Sequence, residues 1–586
     1  MRSLSHNVRR RAAIWGAILA GMATLAIAGV SPAGAATVNA CPTTGAALQT
    51  AIQQAGDGGT VAFTCSTPTT IPFDPDRGGP GAIALGHSIT LDGTGATGGV
   101  TFDGGGKVQL FTAAAGTSVT IRRLALNNGF APPVYRTPGG AADSRGGAIL
   151  SMGTVRIDGS TFSGNSIDGR LILQTNILQP PVIAAGGAVY SVGPLTVSGS
   201  TFSDNSALKR GGAISTEGQL TVTDSTFRGN ASAAGSAINS GSSTITNSTF
   251  TANGDGARGV VSPGGTTTIS DSTFTDNGPH AVDIVDSVTT VRNTRISGTW
   301  AVGAQGSLYV ADGTLILERS RVTGNSSGSA GAIKIEAGSR AEVRDSILAD
   351  NTTRSQAIGP GAIDNAGTLI VERSTISGNT AVGSGAGAIN SRSLLPNVAT
   401  VDIRNSTITG NVSQASGNVG AITMLGGTAK IANSTIADNG GSAGDGLLVA
   451  GHLNLGGTIP SSSVEVYGSI IAGRDKPTCV RSPLPAFAPV TVVDAGHNVV
   501  WSGDDTGSTC NLNSSGLGVS GSDPRLSPLA DNGGPTPTMA LRAGSPAVNA
   551  VPRSSGLCPA TDQRGVARPV PAGAAPCDSG AFEGDP

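Results

Sequence analysis

The stretch that decides the fold is Gly211–Asn230, GGAISTEGQLTVTDSTFRGN. It contains a G-G-A-I box and an S-T-F-x-x-N box, and both return with small changes through most of the 586-residue chain. The second box reads STFSGN at 160–165, STFSDN at 200–205, STFTAN at 248–253 and STITGN at 406–411. Repeats of 20 to 50 residues are typical of solenoids, in which each unit contacts only its neighbours.

Eleven copies align on the Phe or Ile of the second box, which we number position zero. Position −5 is aliphatic in every copy, for example Ile157 and Val222, and the odd separation cannot keep both residues on one face of a straight strand. Position −3 is Gly, Asn or Asp in nine of the eleven copies, with Arg319 and Arg373 as the exceptions. These residues tolerate the left-handed conformation of a sharp corner. The pattern therefore predicts a strand, a corner and a second strand.

With the G-G-A-I box as a third strand, each copy has three short strands in one coil. The sequence predicts an all-β parallel β-helix of about fourteen coils, roughly 65 Å long at a strand spacing of ~4.8 Å. Tetratricopeptide-like helical repeats do not fit, because the 3.6-residue periodicity is absent and Gly, Ser and Thr are dense. A β-sandwich remains the alternative, although it would not keep such regular self-similarity. The Asn at position +3, as in Asn165 and Asn205, predicts a stacked ladder that binds loop backbone.

We divide the chain into four segments. Residues 1–36 are predicted to be a signal peptide, 37–125 an N-terminal cap with the first coils, 126–475 the repeats, and 476–586 an irregular, separate C-terminal region. In the second segment, TTGAALQTAIQQAGDGG predicts a short helix with a Thr cap, apolar residues at Ala47, Leu48, Ala51 and Ile52, and a Gly stop. We expect this helix to cover the first coil.

The first segment predicts export. Arg9–Arg11 precede the apolar run Ile14–Val30, and Ala33-Gly34-Ala35 supplies the small residues of a cleavage site. A single membrane anchor is the alternative, but the run is short for a spanning helix. We expect no transmembrane segment after removal of the signal, and a secreted or cell-surface location. The net charge of −2 and the lack of another basic run argue against nucleic acid as a partner.

Six cysteines fit an oxidising compartment, and all lie outside the repeats. Of the fifteen connectivities that six cysteines allow, we favour the three pairs that are local in sequence: Cys41 with Cys65, Cys479 with Cys510, and Cys558 with Cys577. Zinc binding is the alternative, but no C-x-x-C and no nearby His support it.

Two insertions break the repeat, at 127–145 and 166–185, and they should emerge side by side from one edge of the rod. They carry apolar residues that are candidates for a contact surface: Phe130, Tyr135, Leu171, Ile172, Leu173, Ile177 and Leu178. The alternative is that both insertions fold back and cover the rod.

An enzyme on this scaffold needs carboxylates from adjacent coils, as an acid–base pair or as Ca²⁺ ligands. Position −3 gives Asp224 and Asp271, which are two coils apart with Asn247 between them. Position −4 alternates in sign along Glu318, Arg344, Glu372 and Arg404, which predicts a surface charge ladder. His87, His280 and His452 are far apart in sequence, and aromatic residues are scarce. We therefore assign no catalytic, cofactor-binding or metal-binding residue, and we expect no cofactor.

Two resemblances follow from these motifs. The F-x-x-N and G-G-A-I boxes over residues 146–439 resemble the repeats of polymorphic outer membrane proteins. The tail resembles the choice-of-anchor Q domain, through D-N-G-G-P at 531–535, G-S-P-A at 544–547, D-Q-R-G at 562–565 and G-A-F-E at 580–583. The resemblance implies a single-stranded, right-handed parallel β-helix (a pectin-lyase-like solenoid), export and bacterial surface display, and no known activity.

The resulting hypothesis is a non-catalytic surface protein, adhesive or interacting with the cell envelope, whose partner is a cell-wall, host or environmental glycan or a protein. The alternative is a polysaccharide-active enzyme, either a uronan lyase or a glycoside hydrolase. Two departures from the resembled families concern the anchor. No long barrel segment follows the repeats, and no L-P-x-T-G segment precedes Pro586.

Overall fold

The structure is a computed structural model that describes residues 35–135, 142–167, 183–254, 258–300, 305–354, 359–394, 396–450, 461–473, 476–482, 489–503, 508–512, 515–569 and 576–584. The predicted parallel β-helix is confirmed. Three long sheets run along a rod, and within each sheet every strand pairs in parallel with the strand one coil further on. Each coil visits the three sheets in turn.

The first sheet contains the strand that ends near position −4. Its strands are Thr37–Ala40, Gly59–Phe63, Ile89–Asp92, Ser118–Arg122, Thr154–Asp158, Leu195–Ser198, Leu220–Thr223, Ser243–Thr246, Thr266–Ser270, Val288–Arg292, Thr314–Glu318, Arg340–Arg344, Thr368–Glu372, Thr400–Arg404, Gly427–Ala432, Ser462–Tyr467 and Val490–Asp494.

The second sheet contains position zero. Its strands are Thr69–Pro72, Val100–Asp103, Ala125–Asn127, Thr161–Ser163, Thr201–Ser203, Thr226–Arg228, Thr249–Thr251, Thr273–Thr275, Arg295–Ser297, Arg321–Thr323, Ile347–Ala349, Thr375–Ser377, Thr407–Thr409, Thr435–Ala437, Ile470–Ala472, Val499–Trp501 and Val519–Ser520.

The third sheet contains the last residue of the G-G-A-I box. Its strands are Ile83–Leu85, Phe111–Ala113, Ile149–Ser151, Val189–Ser191, Ile214–Thr216, Ile238–Ser240, Val261–Pro263, Val282–Val285, Leu308–Ala311, Ile333–Ile335, Ile363–Asn365, Ile389–Arg392, Ile422–Leu425, Leu447–Ala450 and Cys479–Ser482.

Smaller elements lie in the connections between the second and third sheets and at the ends. A four-stranded sheet contains Ser326–Ser327, Thr352–Thr353, Thr380–Ala381 and Val412–Ser413. The two insertions contribute Phe130–Ala131, Val134–Tyr135, Ala142–Arg145, Ser166–Ile167 and Ile183–Ala185. Two 3₁₀-helices span Pro75–Arg77 and Arg553–Ser555.

The rod is longer than the repeat pattern predicts. The described residues form seventeen strands in the first sheet, which span about 77 Å from first to last at ~4.8 Å per coil. Irregular coils before residue 126 and after residue 475 stack in register with the others. The strand Val490–Asp494 belongs to the first sheet, so the coils continue past the residue where the repeat pattern ends.

The helix that the sequence predicts spans Gly45–Ala55, and it contacts the first two strands of the first sheet. Thr44 caps it by accepting a hydrogen bond from Ala47 N at 3.2 Å, and Gly56 ends it with a φ of 69°. Leu48, Ala51 and Ile52 are buried as expected. Ala47, which we expected on the apolar face, is exposed, and Ala55 completes that face instead.

The corner at position −3 has a positive φ in all eleven copies, including both exceptions to the sequence pattern. Arg319 has a φ of 45° and Arg373 a φ of 47°, close to the 51° of Asp224. The corner is therefore a property of the coil, and the neighbouring coils impose it where the residue itself does not favour it.

Inside the rod, buried side chains stack from coil to coil. Phe162, Phe202, Phe227, Phe250 and Phe274 form one stack, with ring centroids 4.5 to 5.0 Å apart. The predicted asparagine ladder is also present. Asn205 Nδ2 donates to Asn230 Oδ1 at 2.9 Å and to the carbonyl of Phe162 at 3.0 Å. The ladder is interrupted at Thr299, where position +3 carries no amide.

The predicted charge ladder is partly present. Arg344 lies 3.9 Å from Glu318 and 3.5 Å from Glu372, and it also pairs with Glu342 at 2.6 Å. Arg404 instead pairs with Asp402 on its own strand.

The three sequence-local disulfides form as predicted, Cys41–Cys65, Cys479–Cys510 and Cys558–Cys577. Residues 1–34, which contain almost all of the predicted signal peptide, lie outside the described residues. Among the described residues, no helix combines the length and the apolar composition that crossing a membrane requires.

The irregular tail packs against the outer face of the second sheet. Gln563 inserts between two coils, since its Nε2 donates to Thr375 Oγ1 at 2.9 Å and its Oε1 accepts from Thr407 Oγ1 at 2.7 Å. Ala581 N donates to Thr435 Oγ1 at 3.0 Å. A small apolar cluster that includes Ile470 and Met539 lies beneath the tail.

The tail motifs bind one another. Asp562 accepts a hydrogen bond from Glu583 N at 3.0 Å, and Arg564 lies over the ring of Phe582 at 3.7 Å. Arg568 is buried and donates to the carbonyls of Asp578 and Gly580, both at 2.7 Å. The D-Q-R-G and G-A-F-E motifs therefore build the tail and attach it to the rod.

Candidate functional site

The candidate site lies on the outer face of the third sheet. In each strand the residues before and after the central one point into the core, so the central residue faces outward. Over ten successive coils, the last of which carries Thr423, this outward residue is polar, and we call the first nine residues the polar column: Tyr190, Ser215, Asn239, Ser262, Asp283, Tyr309, Lys334, Asp364 and Asn390. The column is about 38 Å long at ~4.8 Å per coil.

A cavity of about 730 Å³ covers the first five residues of the polar column, and we call it the groove cavity. Lys209, Arg210 and Arg258 lie around it with two acids, Glu217 and Asp283. The base of the second insertion also contributes, through Ala184 and Ala185. The repeat thus supplies the floor, and the connections between sheets supply charged walls.

Tyr190 begins the polar column and is 2% exposed. Its hydroxyl hydrogen-bonds to the carboxylate of Glu217, and it accepts from Arg145 Nη1 at 3.2 Å. Burial, followed by the hydrogen bond to Glu217, raises the pKa of Tyr190 above its usual value. Tyr190 therefore remains a neutral hydroxyl at any physiological pH.

At the centre of the polar column, His280 lies beside the column residues Asp283 and Tyr309. His280 replaces the second residue of the repeated box, which is Gly or Ser in the preceding coils, and it is 2% exposed. Its Nδ1 lies 2.6 Å from the carbonyl of Gly306, which can only accept, so Nδ1 carries the proton. Burial lowers the pKa of His280, and the hydrogen bond to Gly306 opposes that shift. The imidazole is therefore neutral at neutral pH, with Nε2 unprotonated.

The pKa values of the two column residues beside His280, Asp283 and Tyr309, are also shifted in the direction that favours the neutral forms. Burial raises the pKa of Asp283, and the nearby His280 and Arg258 oppose the shift. Asp283 accepts from Ser262 Oγ at 3.3 Å, and Arg258 Nη1 lies 4.0 Å away. Burial, followed by the negative charge of Glu336, raises the pKa of Tyr309 to about 12.

The far end of the column is an ion-pair network. Lys334 Nζ lies 3.4 Å from Glu336 and 4.0 Å from Asp364, and Arg392 Nη2 donates to Asp364 Oδ2 at 3.0 Å. Asp364 is 1% exposed, and its Oδ1 has no hydrogen-bond partner in the described part of the chain. Burial raises the pKa of Asp364, and Arg392 and Lys334 oppose the shift.

The geometry restricts the chemistry of the two buried carboxyl groups. Asp283 and Asp364 stand three coils apart, which is about 14 Å at the usual strand spacing. The two carboxyl groups of glycoside hydrolases are ~5 to 9.5 Å apart, so this pair does not fit that reaction. Within the described residues, no three His, Cys, Asp or Glu side chains converge as metal ligands would.

The predicted contact loops lie beside this face. Phe130–Ala131 pairs with Ser166–Ile167, and Ala142–Arg145 pairs with Ile183–Ala185, so the bases of the two insertions run side by side. Phe130 is half-buried. The backbone of Tyr135 ends a short strand, whereas Leu171, Ile172, Leu173, Ile177 and Leu178 lie outside the described residues. Their role as a contact surface stays a prediction.

The polar column was not predicted, because it is formed by the residue after the third-strand Ile, whereas the predictions rested on positions −3 and −4. A signal was present. The box reads P-H-A-V-D at 279–283 and G-S-L-Y at 306–309, in place of G-G-A-I-x. These two breaks hold His280, Asp283 and Tyr309, which the fold brings together.

Comparison with known proteins identifies the scaffold. A family model described as "Right handed beta helix region" matches residues 98–262 and 237–397, together 98–397 or 300 of the 586 residues. A search of curated proteins finds no match.

Solved structures with a similar backbone fold include a PL6 alginate lyase in complex with a trisaccharide. It is 15% identical, with a TM-score of 0.37, over 68% of this chain and 86% of that one. The catalytic domain of a GH87 α-1,3-glucanase in complex with nigerose is 11% identical, with a TM-score of 0.35, over 80% of this chain and 70% of that one. A periplasmic alginate epimerase is 11% identical, with a TM-score of 0.26, over 73% of this chain and 84% of that one.

Proposed function

Because the chain belongs to the right-handed β-helix family, we propose that it is an exported protein that binds an extended acidic polysaccharide along the outer face of the third sheet. The observation that carries the proposal is the groove cavity, in which five successive residues of the polar column form the floor beside Lys209, Arg210 and Arg258. A row of hydrogen-bonding groups repeated at ~4.8 Å suits a linear polymer that repeats along its own axis.

The charges around the groove cavity support an acidic polymer. Three cations line it, Lys209, Arg210 and Arg258. Of the two acids, Glu217 is hydrogen-bonded to Tyr190, and burial raises the pKa of Asp283. The cations are therefore in excess. Guanidinium groups favour carboxylates because they bind both oxygens at once.

Export and surface display remain part of the proposal. Three disulfides are consistent with an oxidising compartment. The resemblances to polymorphic outer membrane protein repeats and to a choice-of-anchor domain add bacterial surface display to the proposal.

A second candidate is cleavage of the bound polymer by β-elimination. The observation that favours it is a neutral His280 whose ring lies 5.8 Å from the ring of Tyr309. In that reaction His280 Nε2 would remove the proton beside the sugar carboxylate. A C=C bond forms as the glycosidic C–O bond breaks, and Tyr309 gives its proton to the leaving oxygen. The 2% exposure of His280 opposes direct contact with a substrate, so binding is the better supported function.

The test is affinity electrophoresis through alginate, polygalacturonate and hyaluronate, with xylan as a neutral polymer. We expect retardation by at least one acidic polymer, weaker in Arg258→Ala and unchanged in Arg156→Ala, which changes an exposed arginine on the first sheet. The absence of retardation by every acidic polymer would refute the proposal. Ultraviolet absorbance of unsaturated products, followed in the same samples, decides the second candidate.

A further inference from the structure

A second cavity adjoins the groove cavity at its N-terminal end. It measures about 500 Å³, and we call it the end pocket. Its walls are mostly apolar: Val108, Ala131, Pro132, Val134, Leu150 and Met152. Leu150 is the outward residue of the coil before Tyr190, so the end pocket continues the line of the polar column. The first insertion supplies one wall, which gives the described part of that insertion a place in the site.

The apolar wall is exposed to an unusual degree. Val134 is 63% exposed and Met152 is 37% exposed. Val134 does not follow from the repeat, because it lies in the insertion. At the place of Met152 the coils that line the groove cavity carry Val192, Glu217, Gly241, Gly264 and Val285. Apolar side chains that are grouped at the end of a polar groove favour an apolar part of the same ligand.

One buried cation lies in this apolar wall. Arg145 is 7% exposed and lines the end pocket. Its Nη1 donates to Tyr190 Oη at 3.2 Å and its Nη2 to Asp143 Oδ2 at 3.5 Å, but its Nε has no hydrogen-bond partner among the described residues. A buried N–H without an acceptor costs free energy, and because Nε has almost no accessible surface, the guanidinium has to turn towards the end pocket to meet an acceptor on a ligand.

Arg145 also joins the two cavities. It lines the end pocket, while Tyr190, to which it is hydrogen-bonded, lines the groove cavity. A polymer held along the polar column therefore brings its substituents to the end pocket. The required substituent has an apolar part for Leu150 and Met152 and an oxygen acceptor for Arg145 Nε.

We propose that the end pocket binds an O-acyl ester group of the polysaccharide, with the ester carbonyl accepting a hydrogen bond from Arg145 and the acyl chain packing on Leu150, Met152 and Val134. This inference rests on the proposed polysaccharide binding and narrows its ligand to an acylated acidic polymer. A free carboxylate would also bind Arg145, but it leaves the apolar wall in water.

The test compares chemically O-acetylated alginate and polygalacturonate with the same polymers after saponification. We expect the acetylated form of at least one polymer to bind about tenfold more tightly, as burial of a methyl group together with one hydrogen bond predicts. Met152→Asp should remove this preference, so that the acetylated and the saponified polymer bind this variant equally. Arg145→Lys, which keeps the charge and removes the Nε donor, should reduce the preference for the acetylated polymer.

Val288→Asp is the matched control, because Val288 is 45% exposed on the first sheet. Equal binding of acetylated and saponified polymers, or loss of the preference in Val288→Asp, overturns the inference and leaves the proposed function standing. Failure to bind any of the four polymers overturns both. Saturation-transfer NMR with methyl hexanoate examines the end pocket without a polymer. If the wild type gives a signal and Met152→Asp does not, the result supports binding of the ester in the end pocket. If the wild type gives no signal, the result contradicts it.

Discussion

The imidazole of His280 and the phenol ring of Tyr309 stack on neighbouring coils, with their centroids 5.8 Å apart and their planes at 29°. Both residues occupy places where the G-G-A-I box is broken. Asp283 lies between them along the chain and faces the same side of the third sheet. Burial of these three titratable groups therefore shifts the pKa of each one in the direction that favours its neutral form.

Replacement of Asp283 by Asn should make stability less dependent on pH. Burial raises the pKa of Asp283 in the folded protein, so its stabilising contribution is full below the ordinary aspartate pKa of ~3.9 and is lost as the pH rises through the raised value. Wild type and Asp283→Asn should melt together near pH 3.5, and the variant should melt at least about 1 °C higher at pH 7. Calorimetry over this range measures the difference.

The matched control is Asp286→Asn, since Asp286 is exposed three residues further on and its φ of 49° suits Asn. A gain at pH 7 that appears equally in both variants would show that burial of Asp283 is not the cause. A variant that melts below the wild type at pH 7 would show that the pair with Arg258 outweighs the burial.

Removal of one amide from the asparagine ladder should destabilise the rod. Asn230 donates to the carbonyl of Phe202 and to Asn253 Oδ1, both at 2.9 Å, and it accepts from the backbone and the side chain of Asn205. Asn230→Ala leaves several buried groups unpaired, at a cost of about 2 to 4 kcal/mol. Thr249→Ala, an exposed position on the second sheet, is the control. Equal melting temperatures for the two variants would mean that the ladder contributes no net stability.

Loss of the Gln563 side chain should release the tail from the rod. Gln563 contacts Thr375 and Thr407 on two coils, and it also donates to Thr536 Oγ1 at 2.9 Å within the tail. In Gln563→Ala, limited proteolysis should cut the tail several-fold faster while the coils stay intact, since local opening exposes the backbone. Arg553→Ala alters an exposed tail residue and should leave the rate unchanged. A cutting rate that Gln563→Ala does not change would assign the attachment to other contacts.

The parts of the fold that recur were predictable, because eleven copies of one pattern average out local exceptions. The identity of Arg319 alone does not predict a left-handed corner, yet its place in the repeat does. Ile157 and Phe162 were placed correctly in the core for the same reason. The helix boundary followed from Thr44 and Gly56, whose chemistry is local.

The candidate site was not predictable from the same pattern. Tyr190, Asp283 and Asp364 look unrelated in sequence, and only the register of the third sheet aligns them. The position of the tail could not be predicted from the sequence either, because nothing local to Gln563 indicates that it inserts between Thr375 and Thr407. Such contacts depend on how distant segments pack, which repeats alone do not encode.

The most direct test of polysaccharide binding compares two lysines in one molecule. Lys209 lines the groove cavity and is exposed, whereas Lys430 lies on the outer face of the first sheet beside Tyr467. Reductive methylation is followed by mass spectrometry, with and without a saturating acidic polysaccharide that retards the protein. We predict that the polymer slows modification of Lys209 several-fold and leaves Lys430 unchanged. Equal rates at Lys209 with and without polymer, or protection of Lys430 alone, would contradict binding along the third sheet.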